Sequence, residues 1–206
     1  MRTSISAVLV VLATACGAGV PAVVLDDQAW PARIGDYEEV TENWTRTANM
    51  RSTYQEALEV SATFKSNEWR AADAAKDADA RGLVGEARAQ RMAQAQADAA
   101  GPYEFELMVT TWDRRENDLD RGKRSVWRLR MLDENGMEIE PLEVIKDKRP
   151  GFIIRSEFPA FGDFAEAYIV RFPRNKPLLG PGVKQMRMRL SSTRGGVELV
   201  WRARGS

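Results

Sequence analysis

The residue types that run most hydrolytic and metal chemistry are scarce in this chain. There is no histidine among the 206 residues and a single cysteine, Cys16. Ser-His and Cys-His nucleophilic pairs, imidazole metal sites and histidine pH switches are therefore excluded. One thiol cannot form an internal disulfide or a multi-cysteine zinc site. No glycine-rich phosphate loop sits between a strand pattern and a helix pattern. What remains is carboxylate chemistry, and the one spaced acidic set lies in WDRRENDLDRGKRS, residues 112–125. There Glu116, Asp118 and Asp120 alternate as oxygen ligands of a calcium loop do. In that frame the obligatory glycine position holds Arg121 and the bidentate acid position holds Trp127, and five cations crowd the stretch. The pattern reads as a polar inter-strand loop with Asx turns, holding no metal. No cofactor is called for, and no carboxylate pair stands out as a glycosidase couple. The chain is expected to be no enzyme.

Two sets suit binding instead. Arg128, Arg130, Arg187, Arg189 and Arg202 alternate with apolar residues and should share one outer sheet surface, open to an anionic partner. The competing reading pairs them with Glu138, Glu140 and Glu198, which alternate in the same way. Phe158, Phe161 and Phe164, broken by Pro159 and Gly162, either plug the end of the fold or present aromatic anchors to a partner. Trp112, Trp127 and Trp201 are expected in the core.

The elements that must position these residues follow from periodicity. Residues 36–53 are helix-compatible, with Tyr37, Val40, Trp44 and Thr47 at steps of three and four. Leu58, Val60, Ala62 and Phe64 alternate as in a half-buried strand. Residues 66–100 form an Ala-rich helical hairpin, with Ser66 as N-cap and Gly82 and Gly85 at the bend. Its faces lack large apolar residues and should gain little from burial. From Tyr103 the chain reads as strands: YEFELMVTTW, then SVWRLRMLDENGMEIEPLEV with an Asn135-Gly136 turn, then GFIIRSEF, AYIVRFP, KQMRMRLSS and GGVELVWRAR. The expected fold is mainly β with an α-helical part: an immunoglobulin-like antiparallel sandwich of roughly eight strands spanning residues 36–206, the helical hairpin inserted after the first strand. A small barrel is the alternative. Charge balances overall, 30 against 30, which gives no bulk attraction to nucleic acid. Residues 36–100 carry a net −4 and residues 101–206 a net +4.

Residues 1–15 have the layout of an export signal: Arg2, a short apolar run from Ile5 to Leu12, then Ala13-Thr14-Ala15. The run is about half of the roughly 20 residues a transmembrane helix needs. Ala-Thr-Ala also suits ordinary signal peptidase, and an uncleaved core segment would bury the thiol. The stretch resembles a bacterial lipoprotein signal, with Leu12 one place earlier than that pattern has it. The resemblance implies that Cys16 is lipidated, with acyl chains such as palmitate, and becomes the new N-terminus. Residues 16–35 would then be a tether with a short docked segment at Val23–Leu25. Gly17 after the cysteine implies sorting to the outer membrane, facing the periplasm or the surface. ATFKSNEWRAA, the 110–144 run, AYIVRFP and VELVW together resemble a group of bacterial lipoproteins that carries no activity to transfer. The implied partners are the membrane, through the lipid, and an envelope protein. The leading expectation is a non-catalytic binding or assembly module, and the alternative a carboxylate-dependent hydrolase of envelope glycans.

Overall fold

The structure is a computed structural model that describes residues 20–25, 29–52, 55–176 and 178–204. Cys16 and the export-signal layout lie outside the described residues. Among those described, four helices and nine strands run in the order α1 (Tyr37–Trp44), β1 (Thr45–Ser52), β2 (Gln55–Phe64), α2 (Asn67–Ala80), α3 (Gly85–Ala99), β3 (Tyr103–Thr111), β4 (Arg128–Leu132), β5 (Glu138–Ile139), β6 (Glu143–Lys146), α4 (Gly151–Glu157), β7 (Glu166–Phe172), β8 (Gln185–Ser192) and β9 (Gly195–Arg202). No described helix is long and apolar enough to cross a membrane.

The strands make two antiparallel sheets, ordered β1-β2-β3-β7-β6 and β5-β4-β8-β9. Strand alternation sends one side-chain set of each strand inward. Val60, Leu107 and Phe105 from the first sheet and Met131, Met188 and Trp201 from the second share one buried cluster. Phe105 sits between Phe172 and Trp201, with ring centroids 5.8 and 5.6 Å apart, so one aromatic chain crosses the gap between the sheets. The Asn135-Gly136 turn joins β4 to β5 as expected, with Gly136 at φ 79°.

Several expectations are corrected. Residues 36–53 are not one helix. Tyr37, Val40 and Trp44 are buried at helical spacing, but the helix ends at Trp44 and Thr47 lies in β1. Thr45 Oγ1 bonds Thr41 O and Thr63 Oγ1, and Thr47 Oγ1 bonds Ser61 Oγ, so β-branched hydroxyl residues pair across strands instead of continuing the helix. GFIIRSEF is a helix, not a strand. Pro150 precedes its first turn, and Ile154 and Phe158, four apart, are both buried. The hairpin follows the second strand rather than the first, because β1 was read as helix. Its burial is also larger than expected. Ala71, Ala72, Ala74 and Ala78 are all buried, since small side chains let α2 approach its neighbours closely. Ser66 caps α2 by accepting from Trp69 N at 3.1 Å, and Gly82 and Gly85 take left-handed φ values of 63° and 54° at the bend.

The expected docked segment at Val23–Leu25 meets the second sheet through an isolated bridge. Val23 N donates to Arg202 O and Arg204 N to Val23 O, both 2.9 Å, in a parallel bridge to the end of β9. Arg46 fastens it. The residue is 5% exposed, and its guanidinium donates to four backbone carbonyls: Val200 (2.9 Å), Asn43 (2.9 Å), Thr45 (2.7 Å) and Pro21 (2.6 Å). Burial, then the nearby Arg202, lower its pKa to about 10, which leaves it charged at neutral pH. Replacing Arg46 by Ala strands these carbonyls and should cost about 2–4 kcal/mol of unfolding free energy, measured by urea denaturation. Arg128→Ala, on the exposed outer face, should stay within about 0.5 kcal/mol.

Candidate functional site

A cleft of about 600 Å³ lies between the helical hairpin, α4 and the outer face of β3 and β7. Its floor comes from the alternation of β3. With Phe105 and Leu107 inward, Glu104 and Glu106 face outward, opposite Arg171 and Ile169 of β7. Lys65, just past β2, reaches both acids: Nζ lies 2.9 Å from Glu104 Oε1 and 3.0 Å from Glu106 Oε2. Its chain runs beside Trp69 and Phe158, which stack at 5.6 Å and 9°.

The two acids have opposite fates. For Glu104, burial alone would raise the pKa, but Lys65, Arg171 (2.7 Å) and Arg70 (3.7 Å) outweigh it and hold it at about 2. Glu106 is 0% exposed, and neither carboxylate oxygen has a well-formed hydrogen bond. Burial dominates and raises its pKa to about 7 despite Lys65, with the Asp147 charge adding to the rise. Asp147 is held below its usual range: burial would raise it, but hydrogen bonds from the Arg149 side chain and backbone prevail. Arg149 also binds Glu157 at 2.6 Å. Across the cleft Arg91 clamps Asp73 (3.1 Å) and Asp77 (2.7 Å), which ties α3 to α2. The cleft is thus walled by charges that satisfy one another.

The arginines expected on one outer face are there. Arg130 and Arg189 face each other directly, with Arg128, Arg187 and Arg202 on the same side of the second sheet. They are not an open cationic patch. Arg130 binds Glu140 (2.6 Å), and Arg189 binds Glu198 (2.6 Å) and approaches Glu138 (3.7 Å). Arg187 has its Nε buried and its Nη2 on Asp133 O. Arg128 has no ion pair among the described residues. Phe158 does not serve as a surface anchor: it is 1% exposed, stacked on Trp69. Phe161 is half-buried beside Arg155. Glu116, Asp118 and Asp120 do not converge on a metal site. Asp118 accepts from Ser125 Oγ and Val126 N, and Glu116 pairs with Arg194. No cluster of metal-ligating side chains occurs among the described residues. Trp127 and Trp201 are core residues as expected, but Trp112 is 70% exposed, because it lies one residue beyond the end of β3.

The sequence reading missed the Lys65–Glu104–Glu106 cluster. Its signal was the pair of acids two residues apart on the polar side of β3, beside helices short of large side chains that must cover something. In comparisons with known proteins, no family model, no curated protein and no solved structure matches the chain.

Glu106 gives a pH signature. Its folded pKa, about 7, lies above the ordinary 4.5. The native state therefore holds a proton that the unfolded state has released between these values. Its stabilisation is full below pH 4.5 and is lost as pH rises to 7, by on the order of 3 kcal/mol. Glu106→Gln should flatten stability between pH 4.5 and 7, as read from urea midpoints across that range.

Proposed function

We propose that the chain is a lipid-anchored cell-envelope protein whose sandwich binds a partner without catalysis. The observation that carries the non-catalytic part is the fate of the cleft acids. Glu104, Asp147, Asp73 and Asp77 are each held by arginine or lysine; burial raises two carboxyls, Asp73, which Arg91 clamps, and Glu106, which is shut from solvent behind Lys65. A general acid must reach its substrate.

The immunoglobulin-like reading has strand order in its favour. Counted from β2, the sheets run A-B-E-D and C′-C-F-G, with β1 as an additional edge strand. Such sandwiches present loops at either end for binding. The anchored reading rests on the resemblance at Cys16, and the bridge of Val23 to β9 supplies a firm seat for a chain arriving from it.

The hydrolase reading has one observation for it. Glu106 and Asp147 are pushed apart in pKa, as acid–base pairs are. Glycan hydrolysis abolished by Glu106→Gln would favour it.

Cys16→Ala should move the protein from the membrane to the soluble fraction and abolish acyl labelling in cells. Unchanged membrane association would refute the anchored reading.

A further inference from the structure

A cleft at one end of the sandwich is lined by exposed aromatic side chains. Trp112, 70% exposed, and Phe164, 66% exposed, line a cavity of about 330 Å³ with Glu59, Thr110, Thr111 and Arg114. These residues come from three places brought together by register. Val109 pairs with Glu166, so the end of β3 and the approach to β7 meet, and Glu59 lies opposite Thr110 across β2 and β3. Apolar side chains exposed together, rather than singly, mark interaction sites. Arg114 lies 5.1 Å from the Phe164 ring, a contact that holds the ring and leaves guanidinium N–H groups for a ligand. Glu59 has no ion pair among the described residues.

We infer that this cleft binds a sugar strand. A sugar ring has an apolar C–H face and a rim of hydroxyls. Trp112 and Phe164 suit the faces, and the Glu59 carboxylate, the Arg114 guanidinium and the Thr110 hydroxyl suit the rim. A membrane surface is the competing occupant for aromatics beside arginine, and three observations set it aside. The site is a concave cleft, not a protruding wedge. Glu59 lies inside it and repels anionic headgroups. The N-terminal segment also joins the sandwich at the other end, at Val23 beside Arg202. Gly195, at the start of β9, lies instead by Met50 at the aromatic end. The two ends of the eight-residue β9 lie about 23 Å apart. The segment that would carry an anchor thus meets the fold at the end opposite Trp112 and Phe164. This inference rests on the anchored, non-catalytic reading above and gives it a ligand class, an envelope glycan.

The test uses the purified full-length chain, sedimented with insoluble peptidoglycan and titrated with an N-acetylglucosamine tetramer by tryptophan fluorescence. Wild type should bind both. Trp112→Ala and Phe164→Ala should each weaken binding at least about fivefold with an unchanged melting temperature, since both side chains are solvent-facing. Exposed Val126→Ala should bind as wild type. Wild-type affinity in both aromatic variants, or no binding of either probe by the unaltered chain, would overturn the inference. So would flotation with phosphatidylglycerol vesicles that depends on Trp112 when the glycan probes give nothing. Fractionation of Cys16→Ala is scored independently, so a failed glycan site and a failed anchor give different patterns.

Discussion

A buried guanidinium without a buried acid is the interaction on which this architecture turns. Arg46 sits where α1 ends, β1 begins, β9 passes and the N-terminal segment docks. Helix α1 leaves carbonyls unpaired at its C-terminus, where the macrodipole is negative. Arg46 takes Asn43 O, and the Trp201 indole takes Trp44 O at 2.7 Å. The same cation reaches Val200 and Pro21, so one side chain joins an edge of each sheet to the incoming chain. Carbonyl oxygens are adequate partners because a charge shared among several dipoles retains much of its solvation.

The other face of the first sheet obeys a different constraint. Ala-rich helices carry few large apolar side chains, so the layer they form is fixed by charge as well as by the close packing of their alanines. Lys65 and Glu104 hold the sheet to the base of α2, Arg91 holds α3 to α2, and Arg149 holds the turn before α4 to its last residue. Glu106 lies at the bottom of this network with Lys65 3.0 Å away and no well-formed hydrogen bond. Burial favours its neutral form, which makes stability fall as pH approaches 7. The cleft above is therefore polar yet internally satisfied, whereas the aromatic cleft at the far end of the sandwich keeps unsatisfied contact area.

Much of the sheet was legible in sequence because alternation is a strong signal. Tyr103 to Thr111 faced inward at every second residue, and Trp127 and Trp201 fell in the core. The errors came where periodicity is ambiguous. GFIIRSEF has apolar residues compatible with either state, and Pro150 ahead of it decided for helix. The run through Thr47 kept a helical step while its hydroxyls found cross-strand partners. Trp112 was misplaced because residue type says nothing about where a strand stops. The arginine face was foreseen as a surface, and its pairing with Glu140 and Glu198 answers to the competing reading rather than the open patch. Glu106 was missed because an acid on a polar strand face is ordinarily wet, and only the covering helices, whose placement alternation does not give, bury it.

The end of the sandwich closed by Arg46 depends on the segment at Val23 being part of the fold. Amide hydrogen exchange tests this directly. The Val23 and Arg204 amides, bonded to Arg202 O and Val23 O, should exchange as slowly as the β9 amides, and should be released in Arg46→Ala ahead of β3. Exchange of Val23 and Arg204 in the unaltered protein at the rate of an unstructured chain, while β9 stays protected, would contradict it.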